Sequence, residues 1–138
     1  MRRSIGLLIT LAFSIGTAMA EVVVVVSAQN PVQALSKTQV ADIFLGRSKR
    51  FPDGSNAVPI DQPEAAAAHD NFYGKFLERT PAQMKAYWSK IIFTGRGQPP
   101  REISADELKK FLSRNPNAIG YLDSSALDDS VRAVKISP

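Results

Sequence analysis

The chain has no cysteine, one histidine and one tryptophan among its 138 residues. Without cysteine there are no disulfide staples, no thiolate metal sites and no thiol nucleophile, so stability has to come from packing. A serine nucleophile would have to recruit His69 together with an acid, and no nucleophile-elbow pattern is present. His69 lies three residues before Phe72 and seven before Phe76, which places it on the same helical face as a packed side chain. One histidine and scattered carboxylates make no zinc site, and no EF-hand spacing occurs. Neither catalytic residues nor metal ligands nor a cofactor motif are therefore expected. The formal charge is +4, but no basic stripe interleaved with aromatics accompanies it, which argues against nucleic acid as a partner.

The one conspicuous apolar run is at the start. Arg2 and Arg3 precede an apolar stretch from Ile5 to Ile15, which leads to Ala18-Met19-Ala20, an A-x-A cleavage pattern. Thr10, Ser14 and Gly16 interrupt the run, and it falls short of the ~20 residues a spanning helix needs. Residues 1–20 read as a secretory signal peptide and residues 21–138 as a single domain, released into the periplasm with no stable membrane span. Cleavage removes two arginines and no acid, so the charge of +4 falls by two. That mild basicity is weak evidence for anionic partners.

Three helix starts carry the spacing of a capping box: Ser36-Lys37-Thr38-Gln39, Thr80-Pro81-Ala82-Gln83 and Ser104-Ala105-Asp106-Glu107. An apolar stripe follows each. Val40, Ile43 and Phe44 face inward after the first; Met84, Tyr87, Trp88 and Ile91 after the second; Leu108, Phe111 and Leu112 after the third. Gly46 ends the first helix, since glycine takes the left-handed conformation at that position without penalty. A further helix is predicted over Glu64 to Glu78, with Gly74 costing it ~1 kcal/mol relative to alanine.

Four segments read as strands: Val22 to Val26, Ala57 to Asp61, Ala118 to Leu122 and Val131 to Ile136. The valine run has no polar alternation, as expected of a strand covered on both faces in the parallel sheet of an α/β layer structure.

Ala41-Asp42-Ile43-Phe44-Leu45-Gly46 and Asn117-Ala118-Ile119-Gly120-Tyr121 bracket this pattern, with Val58-Pro59-Ile60 and Ile92-Phe93-Thr94-Gly95-Arg96-Gly97-Gln98-Pro99-Pro100 between them. Together they resemble the short, single-lobe members of the type 2 periplasmic-binding superfamily, in its phosphate-type substrate-binding branch. The resemblance covers most of residues 21–138. It implies a three-layer α/β/α sandwich like one lobe of such a protein, with strand-end loops and helix N-termini facing a ligand or partner. One stretch departs from the pattern. Phosphate-binding relatives carry arginine, aspartate and a glycine- and serine-rich helix start after the strand equivalent to Val58-Pro59-Ile60. This chain has Asp61-Gln62-Pro63-Glu64-Ala65-Ala66-Ala67, whose two carboxylates repel a multiply charged anion at a helix N-terminus.

The candidate ligand residues occupy the strand ends and two charged loops. Ser27, Gln29 and Asn30 follow the valine run and offer hydroxyl, amide and backbone donors, or form an ordinary polar turn. Asp61 and Gln62 follow the second strand; Asp61 and Glu64 also suit the capping of a helix start. Tyr121 either closes over a ligand or packs in the core. Ser125-Ala126-Leu127-Asp128 has the spacing of a short cap. Arg47, Lys49 and Arg50 in one loop and Arg96 and Arg101 in another would attract an anion or an acidic protein face if folding brings the loops to one rim, and are otherwise solvated surface charge.

Two functions follow from the resemblance. The first is a solute-binding-like module for a small polar solute, phosphate or another oxyanion among them, serving an ABC transporter or sensor. The alternative is a non-catalytic interaction module of the cell envelope that has lost ligand binding.

Overall fold

The computed structural model describes Gly6 and residues 21–138; the predicted signal peptide otherwise lies outside the described residues. Five strands form the central sheet in the order β4-β3-β5-β1-β6. They are β1 (Val22–Ser27), β3 (Val58–Asp61), β4 (Arg101–Glu102), β5 (Ala118–Asp123) and β6 (Val131–Ala133). Two short strands, β2 (Ala34–Ser36) and β7 (Lys135–Ser137), pair in parallel as a separate ribbon.

The valine run is buried on both faces, as its composition implies, but its neighbours run the other way. β1 is antiparallel to both β5 and β6, while β3 is parallel to β5 and β4. The sheet is mixed. Apolar composition reports burial of both faces and carries no information on strand direction, so the valine run lies between antiparallel neighbours and not in the parallel sheet expected for it. One face, built on Val24, Val26, Ile119 and Tyr121, packs against α1 (Lys37–Phe44), α2 (Ala67–Phe72) and Met84 of α3 (Pro81–Phe93). The other, built on Val25, Ile60, Ala118 and Leu122, packs against Leu108 and Leu112 of α4 (Ala105–Arg114). This is the three-layer sandwich. Leu108 sits so close over β5 that a Cβ at Gly120 would meet its Cδ2 at 3.3 Å, so a larger residue there would need the Leu108 side chain to give way.

Two of the three capping boxes form. Ser36 Oγ accepts from Gln39 N at 3.0 Å and Gln39 Oε1 accepts from Ser36 N at 2.8 Å; Thr80 and Gln83 repeat the arrangement. The third helix starts where its motif lies, but the Ser104 side chain makes no cap, and the Glu107 and Leu108 amides donate to the Ser104 carbonyl instead. Ser125 caps nothing either. Asp123 takes that role two residues earlier, accepting from the Ser125 amide at 2.9 Å.

The helix expected from Glu64 starts later. Residues 63–66 form a turn closed by Ala66 N donating to Pro63 O, α2 begins at Ala67, and one π-helical turn, Tyr73–Leu77, carries the chain to Glu78 in the left-handed region. Asp61 cannot cap a helix from Glu64, because its carboxylate is engaged elsewhere. The predicted strand from Val131 to Ile136 splits at Val134, whose amide donates to Val24 O while that of Lys135 donates to Gln33 O. The chain there leaves one sheet for the other.

Candidate functional site

β3 and β5 run parallel, so their C-terminal ends lie together at one edge of the sheet. The chain leaves β3 toward α2 on one face and returns through α4 on the other. Such a divergence opens a crevice at strand ends where α/β folds bind ligands. Asp61 and Gln62 sit at this edge with 5% and 1% of their surface exposed.

A buried carboxylate needs strong partners, and Asp61 has three. Tyr121 Oη donates to its Oδ1 at 2.5 Å, Tyr73 Oη donates to Oδ2, and the Gln62 amide donates to Oδ1 at 2.8 Å. Tyr73 comes from the π-helical turn and Tyr121 from β5, so one carboxylate ties three segments together. The Asp61 carbonyl also accepts from Ile103 N, holding the end of β4 against β3. Burial, and then the negative charge of Asp61, pushes both tyrosine hydroxyls well above their ordinary titration range. The rings are fixed as well. Tyr121 stacks on Phe72 at 4.0 Å and Tyr73 on His69 at 4.3 Å.

Hollows lie on both flanks of this network. One of about 470 Å³ is lined by Asp61, Glu64, Glu102, His69, Tyr73 and Trp88. Three carboxylates against one lysine, Lys85, give it a net acidic character, with aromatic rings among its walls. The other, of about 600 Å³, is lined by Gln62, the start of α2 at Ala66 to Ala68, the start of α4 at Ala105 and Asp106, and Lys109. Gln62 Nε2 donates to Tyr121 O at 2.6 Å, which anchors the amide; its Oε1 is buried with no protein donor among the described residues. Neither helix start has a side-chain cap.

The structure separates the predicted site residues into three groups. Asp61, Gln62 and Tyr121 come together as described, with Tyr121 wholly buried as a core residue rather than a lid. Ser27, Gln29 and Asn30 lie at the opposite end of the sheet, because β1 is antiparallel to β5. There Asn30 Oδ1 accepts from Val32 N at 2.8 Å, Asn30 Nδ2 donates to Pro116 O at 2.7 Å, and Ser27 Oγ accepts from Gln29 N. These atoms build a turn. Arg47 and Arg96 form the third group: with Lys49 they line one hollow at the ends of α1 and α3. Arg50 instead donates to Gly54 O, and Arg101 lies over the Phe111 ring.

Tyr73, Glu102 and Trp88 were not among the predicted site residues. Tyr73 stands next to Phe72, off the apolar stripe of Phe72 and Phe76, so no apolar spacing announces its contact with Asp61. Among the described residues no cluster of three or more histidine, aspartate or glutamate side chains is placed to hold a metal ion, and no helix is long and apolar enough to cross a membrane.

This three-layer architecture is similar to part of the fold of ABC-transporter substrate-binding proteins. Among solved structures, the chain is similar to an ABC-type phosphate transport receptor from Vibrio cholerae, at TM-score 0.65 and 16% identity over 85% of this chain and 46% of that one. It is also similar to PstS from Borrelia burgdorferi, at TM-score 0.63 and 10% identity over 86% and 47%. A candidate phosphate ABC transporter substrate-binding protein from Clostridium perfringens, solved with bound phosphate, matches at TM-score 0.62 and 24% identity over 85% and 45%. The chain thus spans about half the length of these structures. At these identities the likeness establishes the fold. No protein-family model matches the chain.

Proposed function

We propose that the protein is an exported solute-binding module that presents the C-terminal edge of β3 and β5 to a small polar solute, for delivery to an ABC transporter or a sensor in the envelope. Export rests on the signal-peptide pattern of residues 1–20. The binding reading rests on the strand-end crevice, where the buried Gln62 Oε1 lacks a donor among the described residues, beside two uncapped helix starts. An unmade hydrogen bond of this kind costs about 1–3 kcal/mol, and a ligand that supplies the donor recovers it. A single lobe supplies one wall of a cleft; the other comes from a partner or from a second copy.

The charges at the edge select among solutes. Asp61, Glu64 and Glu102 face one hollow and Asp106 the other, so a fully ionised phosphate meets repulsion on both flanks. A solute carrying amine, amide or hydroxyl donors is matched by Gln62 Oε1 and by the Glu64 and Glu102 carboxylates. The reading predicts that the thermal midpoint rises by several degrees with saturating amino acids or polyols and stays unchanged with phosphate or sulfate at matched ionic strength. A selective rise with phosphate would retain solute binding and reverse its ligand class. A flat response to the whole panel would overturn solute binding.

A further inference from the structure

We propose that the corner where α1 and α3 end is a docking site for an acidic, apolar-anchored peptide segment of a partner protein, a role independent of solute capture. The corner is built by one local device used twice. α1 ends with Gly46 at φ +73° and α3 with Gly95 at φ +69°. In each, the glycine amide and the next amide fold back onto the helix: Gly46 N to Ile43 O and Arg47 N to Asp42 O, then Gly95 N to Ile92 O and Arg96 N to Ile91 O. This is the glycine-terminated helix stop in which two orphan carbonyls are satisfied in sequence. An arginine follows the glycine both times, so the backbone fixes Arg47 and Arg96 at equivalent places beyond two helix C-termini, where the carbonyl ends favour positive charge.

Both arginines line the same hollow of about 590 Å³, together with Lys49. Its lining contains no carboxylate. Among the described residues the only acid paired with the group is Asp42, 3.8 Å from Arg47 Nη1, with both side chains exposed; a pair of that kind contributes little and leaves the guanidinium available. Trp88 and Tyr87 form the floor, with Ile91 beside them. The floor is held in place: Tyr87 Oη donates to Leu45 O at 2.7 Å, and the two rings meet edge-on at 5.0 Å.

Cations around an aromatic and aliphatic floor fit carboxylates flanking an apolar side chain. Exposed guanidinium and ammonium groups hold a lone small anion weakly, because solvent and salt screen each pair. Several carboxylates joined on one chain, anchored by an apolar side chain on Trp88 and Ile91, engage the three cations together. Guanidinium forks also match carboxylates in geometry. The chemistry of the hollow therefore favours an acidic peptide over a free oxyanion.

Trp88 is the only tryptophan in the chain and lines both this hollow and the acidic one beside Asp61, so a change in its emission is assigned to the corner only where it is lost with Arg47 and Arg96. The protein is titrated with an acetylated Asp-Glu-Leu-Glu-Asp peptide, its Asn-Gln-Leu-Gln-Asn counterpart, inorganic phosphate, and vesicles of phosphatidylglycerol. The acidic peptide should give a saturable change in emission that weakens as salt is raised. The doubly substituted Arg47→Ala, Arg96→Ala protein should bind it at least about tenfold more weakly, in line with the loss of two interfacial charges. Lys110→Ala, a cation that lines a different hollow, should bind as the parent does. Circular dichroism melts of each variant separate loss of binding from loss of fold. Equal binding of the amide peptide, an undiminished response in the double variant, or no change in emission with the acidic peptide would each overturn the proposal. Saturation by phosphate alone would make the corner a small-anion site, and a response confined to vesicles would make it a lipid-headgroup site; either result overturns the peptide assignment.

Discussion

The two ends of the central sheet both bury polar side chains, and they do so in different ways. At the Ser27 to Asn30 end, the buried asparagine is satisfied by the Val32 amide and the Pro116 carbonyl, and Arg132 ties the Asn30 and Val32 carbonyls together. Its partners are mostly backbone, and it closes a turn. At the Asp61 end, a carboxylate is held by two phenols from distant segments, and the neighbouring glutamine keeps a buried oxygen without a protein donor. Polar residues at strand ends look alike in a sequence. What separates a structural turn from a site is whether the polar groups are used up within the protein and whether they border a hollow.

Removing the centre of the second network should have the largest effect. Asp61→Ala strands two buried phenol donors, each worth about 1–3 kcal/mol when left unpaired, so urea unfolding should show a loss of roughly 3 kcal/mol or more. An unchanged midpoint would mean that the network relaxes to solvent, and the contrast between the two ends would collapse. The tyrosines give the next effect. Tyr73→Phe and Tyr121→Phe each remove a bond to a charged group and should cost about 1.5–3 kcal/mol.

The two phenols also predict a pH dependence. Their folded titration lies above the unfolded value of about 10, so the folded state keeps its protons where the unfolded chain has lost them. Their contribution is complete below about pH 10 and is lost as pH rises beyond it. Unfolding followed between pH 8 and pH 11 should show stability falling above pH 10, with a shallower fall in Tyr121→Phe.

Asn30→Ala tests the opposite end and should cost less, about 1–2 kcal/mol, because only neutral hydrogen bonds are lost. It should leave solute and peptide binding untouched. Altered solute affinity without unfolding would return the Ser27 to Asn30 turn to the site and erase the distinction between the two ends.

Much of the layer structure was legible in residue order. The stripe Val40, Ile43 and Phe44, the stop at Gly46 and the double-sided burial of the valine run are local properties, and each is realised. Strand direction was not legible, because Val22 to Val26 is equally apolar whichever way its neighbours run. That one gap moved Ser27, Gln29 and Asn30 to the wrong end of the sheet relative to Asp61. Tyr73 was hidden for a similar reason: it lies beside the apolar stripe rather than on it, and its use depends on β3 bringing Asp61 within reach. The Arg47 and Arg96 loops were recognisable as basic, whereas their convergence depends on how α1 packs against α3, a relation between distant segments.

The smallest expected effect sharpens the contrast between motif and use. Thr80 and Ser104 open helices with equally good capping sequences, yet only Thr80 Oγ1 accepts from the amide three residues on, at 3.2 Å. Thr80→Ala should cost about 1 kcal/mol, as loss of a working cap does, and Ser104→Ala only a few tenths. Equal losses would show that the Ser104 hydroxyl caps α4 in solution. The start of α4 would then have a side-chain partner, and the strand-end crevice would lose one of the two uncapped helix starts beside Gln62. A negligible loss at Ser104 would leave Ala105 and Asp106, which line that hollow, at a helix start with no side-chain cap.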